Sequence, residues 1–275
     1  MQKLAIKSRP LLISLIIAPC LLLALFILYP QQTAYFINIP GLLLVFAGTL
    51  AAILVCRPIE DVKRVFKSIP LLLKNNQLSP YSEINQLLNI ADHYRHGHLR
   101  TAEEELNYVN NDFLRMGMQQ VLDGTPIDEV NKLLHWHKEG IRSREMNDAQ
   151  ILRLMASFAP AFGMLGTVLG LILMLHNLDE STVTTIGSAM GFALITTLYG
   201  IIASNLLLKP LAIKKQQRVE QLLSHLTMLE EGINMLHQRQ HPVIIKDTLD
   251  AFSSHRFNST INAEVSPLLQ AHSIH

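Results

Sequence analysis

LMASFAPAFGMLGTVLGLILML, residues 154–175, runs without a single Asp, Glu, Lys, Arg or His, and its reading decides the fold. A hydrocarbon core of about 30 Å takes roughly 20 helical residues at about 1.5 Å each, which is the length of this run. Residues 11–29, 36–56 and 186–208 share the property. One charge at a helix centre costs about 2.5 to 3.5 kcal/mol on insertion scales. Charge-free windows of this length therefore predict an all-α, polytopic membrane protein with four transmembrane helices and a helical cytoplasmic domain between helices 2 and 3. Composition agrees, since 49% of the 275 residues are hydrophobic and only 16% charged, too apolar for an ordinary soluble domain. A formal net charge of +1 leaves no basic excess to displace counterions from a phosphate backbone, which excludes nucleic acid as a partner.

The first run follows Lys3, Lys7 and Arg9, as a secretory signal would, but it outlasts the roughly 7 to 15 apolar residues of a signal core, and a second apolar run follows after a short loop. A lipoprotein reading of Cys20 fails because Pro19 stands where a small residue is expected. Cys20 and Cys56 both lie in apolar runs and are expected to be buried small hydrophobes rather than a disulfide or metal pair.

Orientation follows from the basic residues. All 23 Lys and Arg lie before residue 11, within 57–153 or after 208, and the loops 30–35 and 176–185 hold none. The positive-inside rule places both termini and the middle domain on the cytoplasmic side of the membrane. The expected organisation is a cytoplasmic N-terminus (1–10), transmembrane helices 1 and 2 (11–56) and a cytoplasmic helical domain (57–153). Transmembrane helices 3 and 4 (154–208), cytoplasmic C-terminal helices (209–252) and a polar, disordered tail (253–275) complete it.

Within 57–153, Ser79-Pro80 is a helix start, Thr101 with Glu104 fits a capping box, and Thr125-Pro126 opens a helix predicted to continue through Met146 and Leu152 into the third span. Such continuity would couple a cytoplasmic surface to the membrane core. Val219, Leu222, Leu223, Leu226, Leu229, Ile233 and Leu236 recur at helical spacing and predict an amphipathic helix packed back on the middle domain.

Spans 3 and 4 carry the candidate chemistry. Gly163, Gly166, Gly170, Gly191 and Gly200 let helix backbones approach closely, while Thr167, Thr196 and Thr197 can bond across helices or line a wet path. Tight packing alone would explain the same residues. Pro160 and Pro210 each remove a helix amide hydrogen, as a hinge or as a static kink or stop. An ion path needs a titrating group at membrane depth, and no span contains a carboxylate. If ions cross here, that group comes from a second subunit.

In the middle domain Arg95 lies near Glu103, Glu104 and Glu105, a pattern that more often marks a solvated face. His93, His96 and His98 lack a Cys or carboxylate at ligand spacing, so no metal site is expected, and His135-Trp136-His137 reads as core and flank of the long helix. No phosphate loop, nucleophile elbow or zinc-protease motif occurs, so neither catalytic residues nor a cofactor are expected.

FAPAFGMLGTVLGL (158–171), ALITTLYG (193–200) and Ser204-Asn205 resemble the third and fourth helices of the flagellar stator A subunits, MotA and PomA, of the MotA/TolQ/ExbB proton channel family. The motifs are specific over the two spans, and four spans with the large loop after the second favour the motor type over the three-span TolQ and ExbB. The resemblance implies a homo-pentamer around a MotB/PomB-type, single-span, peptidoglycan-binding subunit that supplies the membrane aspartate. It implies transport of H+ or Na+ and torque on a FliG-type rotor protein of the flagellar switch. It places gating roles on Pro160 and Pro210, the ion path on Thr167 and Thr197, and rotor contacts on Arg95, Glu103 and Glu104. His96 and Leu106 depart from the family's charged pattern at that surface. A related energising subunit of a non-flagellar system and a non-conducting scaffold are the competing readings.

Overall fold

A computed structural model describes residues 36–73, 81–176 and 183–252, and among them every regular element is helical. The expected first span, the Ser79-Pro80 start and the tail from 253 lie outside the described residues. In chain order the helices are α1 (Ile39–Cys56), α2 (Ile59–Leu73), α3 (Tyr81–Arg95), α4 (Leu99–Leu106), α5 (Asp112–Leu122), α6 (Ile127–His176) and α7 (Val183–Ile202). A π-helical segment, Ala203–Leu208, leads into α8 (Lys209–His237), and α9 covers 242–252. Three described helical stretches are long and apolar enough to cross a membrane: Ile39–Cys56, Ile127–His176 and Thr185–His237.

The chain divides into two compact units. The first, Met1–Asn76 with Arg144–Arg218, holds the apolar spans. Asn38 starts α1 by accepting from the Gly41 amide at 2.9 Å, beside Pro40 in the first turn. Tyr199 ties that start to α7: the Asn38 amide donates to its hydroxyl at 2.9 Å, and the hydroxyl donates to the Phe36 carbonyl at 2.5 Å. At the charged end, Ile53, Val62, Val65, Ile151, Leu152, Met155 and Ala212 form a buried apolar cluster. Cys56 departs from the expectation of burial: as the last residue of α1 it is exposed.

Beside that cluster stands an ion network that the sequence reading missed. Asp148, 2% exposed, accepts from Arg64 through Nε at 3.0 Å and Nη2 at 2.8 Å and pairs with Lys215 at 3.3 Å. Lys215 also bonds Glu145 at 2.7 Å, and Arg64 also pairs with Asp61 at 2.8 Å. The hydrogen bond to Asp148 holds the Arg64 guanidinium above its already high ordinary pKa, against the opposing pull of burial, with further support from the charges of Asp148 and Asp61. Arg64 thus remains charged under all working conditions.

The second unit, Gln77–Ser143 with Val219–His275, surrounds one core of Leu87, Ile90, Phe113, Leu114, Met118, Leu134, Leu229, Ile233, Leu236, Ile245 and Leu249. Burying each of these large side chains is worth roughly 1.5 to 3 kcal/mol. Periodic residues from α8 supply one wall of the core, packed within this unit against α3, α5 and the start of α6. Gly97, at φ 79°, ends α3, and the His98 amide returns to the His93 carbonyl at 3.0 Å. Because the reversal is complete there, α4 already begins at Leu99, and the expected capping box at Thr101 does not form; Glu104 instead lies 3.6 Å from Arg100. Trp136 also departs from expectation, being 64% exposed with Lys132 over its ring, while His137 alone turns to Phe113.

Glu83 is the polar pin of this unit. Burial raises its pKa, but hydrogen bonds from His225 (2.6 Å) and Asn111 (2.7 Å), together with the charge of His225, outweigh burial and hold it below the usual carboxylate range. A depressed folded value means that the pin's contribution is complete above the unfolded pKa of about 4.3 and is lost as pH falls through the folded value. Glu83→Gln is therefore expected to cost about 1.5 to 3 kcal/mol at pH 7 and to flatten the acid limb of a stability-against-pH curve, measured by thermal unfolding.

Candidate functional site

The site lies where α6 and α7 approach through their smallest residues. A Cβ added to Gly200 would stand 2.7 Å from the Ala159 carbonyl oxygen and 3.2 Å from the Cα atoms of Gly163 and Pro160. One added to Gly163 would meet the Thr196 carbonyl oxygen at 3.0 Å, and one on Gly170 would lie 2.8 Å from the Ala193 Cβ. Gly166 receives the Thr196 side chain. At each of these positions the obstacle includes atoms of the other helix, so only glycine allows the approach. Gly191 differs: it is exposed, and a Cβ there would meet nothing within 4 Å, so it packs on no described residue of this chain.

The close approach brings hydroxyls onto backbone. Thr196, fully buried, donates to the Ala193 carbonyl at 2.9 Å and lies 3.4 Å from the Gly163 carbonyl; Thr197 reaches the same Gly163 oxygen at 3.3 Å. Thr167 is not joined to them. Its hydroxyl donates to Met164 of its own helix at 2.5 Å.

Both prolines sit within continuous helix. Pro160 lies inside α6 and does not end it: the helix runs for fifty residues, Ile127–His176. Pro210 does not end the fourth apolar run, contrary to its reading as a stop. Lacking an N–H, it cannot close the α-helical bond to Leu206, and the preceding turn widens: the Lys209 amide bonds the Ser204 carbonyl five residues back, and α8 continues. Ser204, fully buried, donates its hydroxyl to the Ala156 carbonyl at 2.6 Å. Sequence reasoning named Ser204 only within the Ser204-Asn205 motif; Pro160, four residues after Ala156, deprives that carbonyl of its helical donor and is the signal that a partner was needed.

Arg95, Glu103 and Glu104 are all exposed, on the end of α3 and on α4, where the turn at Gly97 brings the two helices together.

Residues 105–228 match the sequence profile of the MotA/TolQ/ExbB proton channel family. Motility protein A of Aquifex aeolicus is 30% identical over 239 residues, covering 84% of this chain and 91% of that one. Motility protein A of Borreliella burgdorferi is 27% identical over 236 residues, covering 86% and 90%. The flagellar MotAB stator complex from Bacillus subtilis superposes with a TM-score of 0.77 at 26% identity, over 90% of this chain and 97% of the matched one.

Proposed function

Because the chain belongs to the MotA/TolQ/ExbB proton channel family, we propose that it works as the stator A subunit of a flagellar motor, walling an ion path whose titrating group a partner supplies. The observation that carries this reading is the paired threonine hydroxyls at the Gly163 carbonyl, beside Pro160, in spans that contain no Asp, Glu, Lys, Arg or His. Such a wall can position a carrier but cannot itself load an ion. The solved relative is a complex with a MotB chain, which supports a MotB/PomB-type single-span partner here.

Four spans with both termini and the middle domain in the cytoplasm accommodate the charge distribution, with the first span in residues 11–29. Five copies surround the partner, and H+ or Na+ descending past Thr197 and Thr196 changes the helix pair at Pro160. Each charge falling through 100 mV releases about 2.3 kcal/mol, so a few ions per step suffice to move a ring against a rotor. Arg95, Glu103 and Glu104 offer that rotor, of FliG type, an exposed surface of both signs. Expressed with its single-span partner in a flagellated strain lacking its own A subunit, the chain is expected to restore swimming; assembly of the pair in the membrane without any swimming would overturn the flagellar reading in favour of a non-flagellar energising role.

A further inference from the structure

We infer that Ser204 is the positioning residue of the Pro160 hinge: its hydroxyl replaces the amide hydrogen that Pro160 lacks and so selects the resting state of the helix pair. In an α-helix the amide of residue 160 would bond the carbonyl of residue 156. Proline cannot make that bond, and it leaves the Ala156 oxygen orphaned in an apolar span, where an unsatisfied carbonyl is costly. Ser204 donates to that same oxygen at 2.6 Å, and both residues are buried. The bond crosses from one helix to the other. A serine inside a helix ordinarily returns its hydroxyl to a carbonyl of the preceding turn, here around Gly200. Ser204 reaches outward instead, in the turn that Pro210 widens, where its own carbonyl accepts from the Lys209 amide. One residue therefore serves both proline irregularities, with its hydroxyl for Pro160 and its carbonyl in the turn before Pro210.

The consequence is a biased two-state element. While Ser204 holds Ala156, the one carbonyl that Pro160 deprives of its helical donor is served. Any change of bend there must release this bond and find another donor. The hydroxyl is thus a latch that the ion-driven step has to open, a functional consequence that rests on the stator reading above. The latch itself does not.

A double-mutant cycle tests it on the full chain purified with its partner. Ser204→Ala is expected to lower the unfolding midpoint by about 2 to 4 °C. In a Pro160→Ala background the restored amide serves Ala156, and Ser204→Ala is expected to shift the midpoint by less than half as much. Equal shifts in both backgrounds would overturn the assignment. Ser204→Thr keeps the hydroxyl and is expected to retain both the midpoint and swimming; a Thr variant as impaired as the Ala variant would also overturn it, and this arm stands even if Pro160→Ala fails to accumulate. Ser204→Ala complexes are expected to assemble yet lose most of their swimming rate. A coupled cycle with unimpaired swimming would remove the positioning role and leave a packing bond. Failure of the unmodified chain to restore swimming would count against the stator reading, while the cycle would still judge the latch.

Discussion

Gly200→Val is expected to abolish swimming without preventing expression. Even the first added carbon would lie 2.7 Å from the Ala159 carbonyl oxygen and 3.2 Å from the Cα atoms of Pro160 and Gly163. All three are backbone atoms of α6, and none can rotate away. The helices must separate at the level of Pro160, and overpacking of this kind costs about 1 to 3 kcal/mol. Separation also carries Thr196 and Thr197 off the Gly163 carbonyl, dismantling the wall proposed for the ion path. Gly200→Ala should produce the same defect in weaker form, and Gly163→Ala should resemble it, since its Cβ would meet the Thr196 carbonyl at 3.0 Å. Gly140→Ala is the matched control: it lies in α6 with nothing within 4 Å, and should stabilise its helix by about 0.5 to 1 kcal/mol while leaving swimming intact. Swimming-ring diameters of the four variants in one strain make the comparison.

Asp148→Ala carries the largest expected stability loss, about 3 kcal/mol. The carboxylate is 2% exposed and faces two cations, one of them Lys215 at 7% exposure. Removing one partner of a buried pair leaves charge uncompensated, which typically costs about 3 to 5 kcal/mol. The lower end applies here because Glu145 still holds Lys215 at 2.7 Å and Asp61 still holds Arg64 at 2.8 Å. Lys215→Met should cost less, since Asp148 keeps both bonds from Arg64. Thermal unfolding of the purified complex at low and high salt checks this ranking, and the Asp148→Ala loss should persist at high salt because the pair is shielded from solvent ions.

How much of this was legible in the sequence depends on the range of the contact. The three charge-free windows within the described residues declared apolar helices, and the Thr125-Pro126 start and the absence of a later proline before Pro160 announced the long helix Ile127–His176, because each rests on neighbours in the chain. The glycines of spans 3 and 4 pointed to a close approach, and four of the five make one. The ion network joins residues near 61, 148 and 215, and no local pattern links three such segments. The Ser204 bond spans 48 positions for the same reason. Thr101 with Glu104 misled because a capping box is a local preference, overruled when the turn at Gly97 let α4 begin three residues earlier, with His98 in the cap position. Trp136 misled because its size suggests burial, whereas α6 turns that position outward beside Lys132.

Ion flux into cells co-expressing the chain with its single-span partner tests the central claim most directly. Flux that requires both chains and falls sharply in Thr197→Ala and in Pro160→Ala is the expected result. Flux unchanged in both variants, or absent from an assembled pair, would contradict the assignment of the ion path to the seam between α6 and α7.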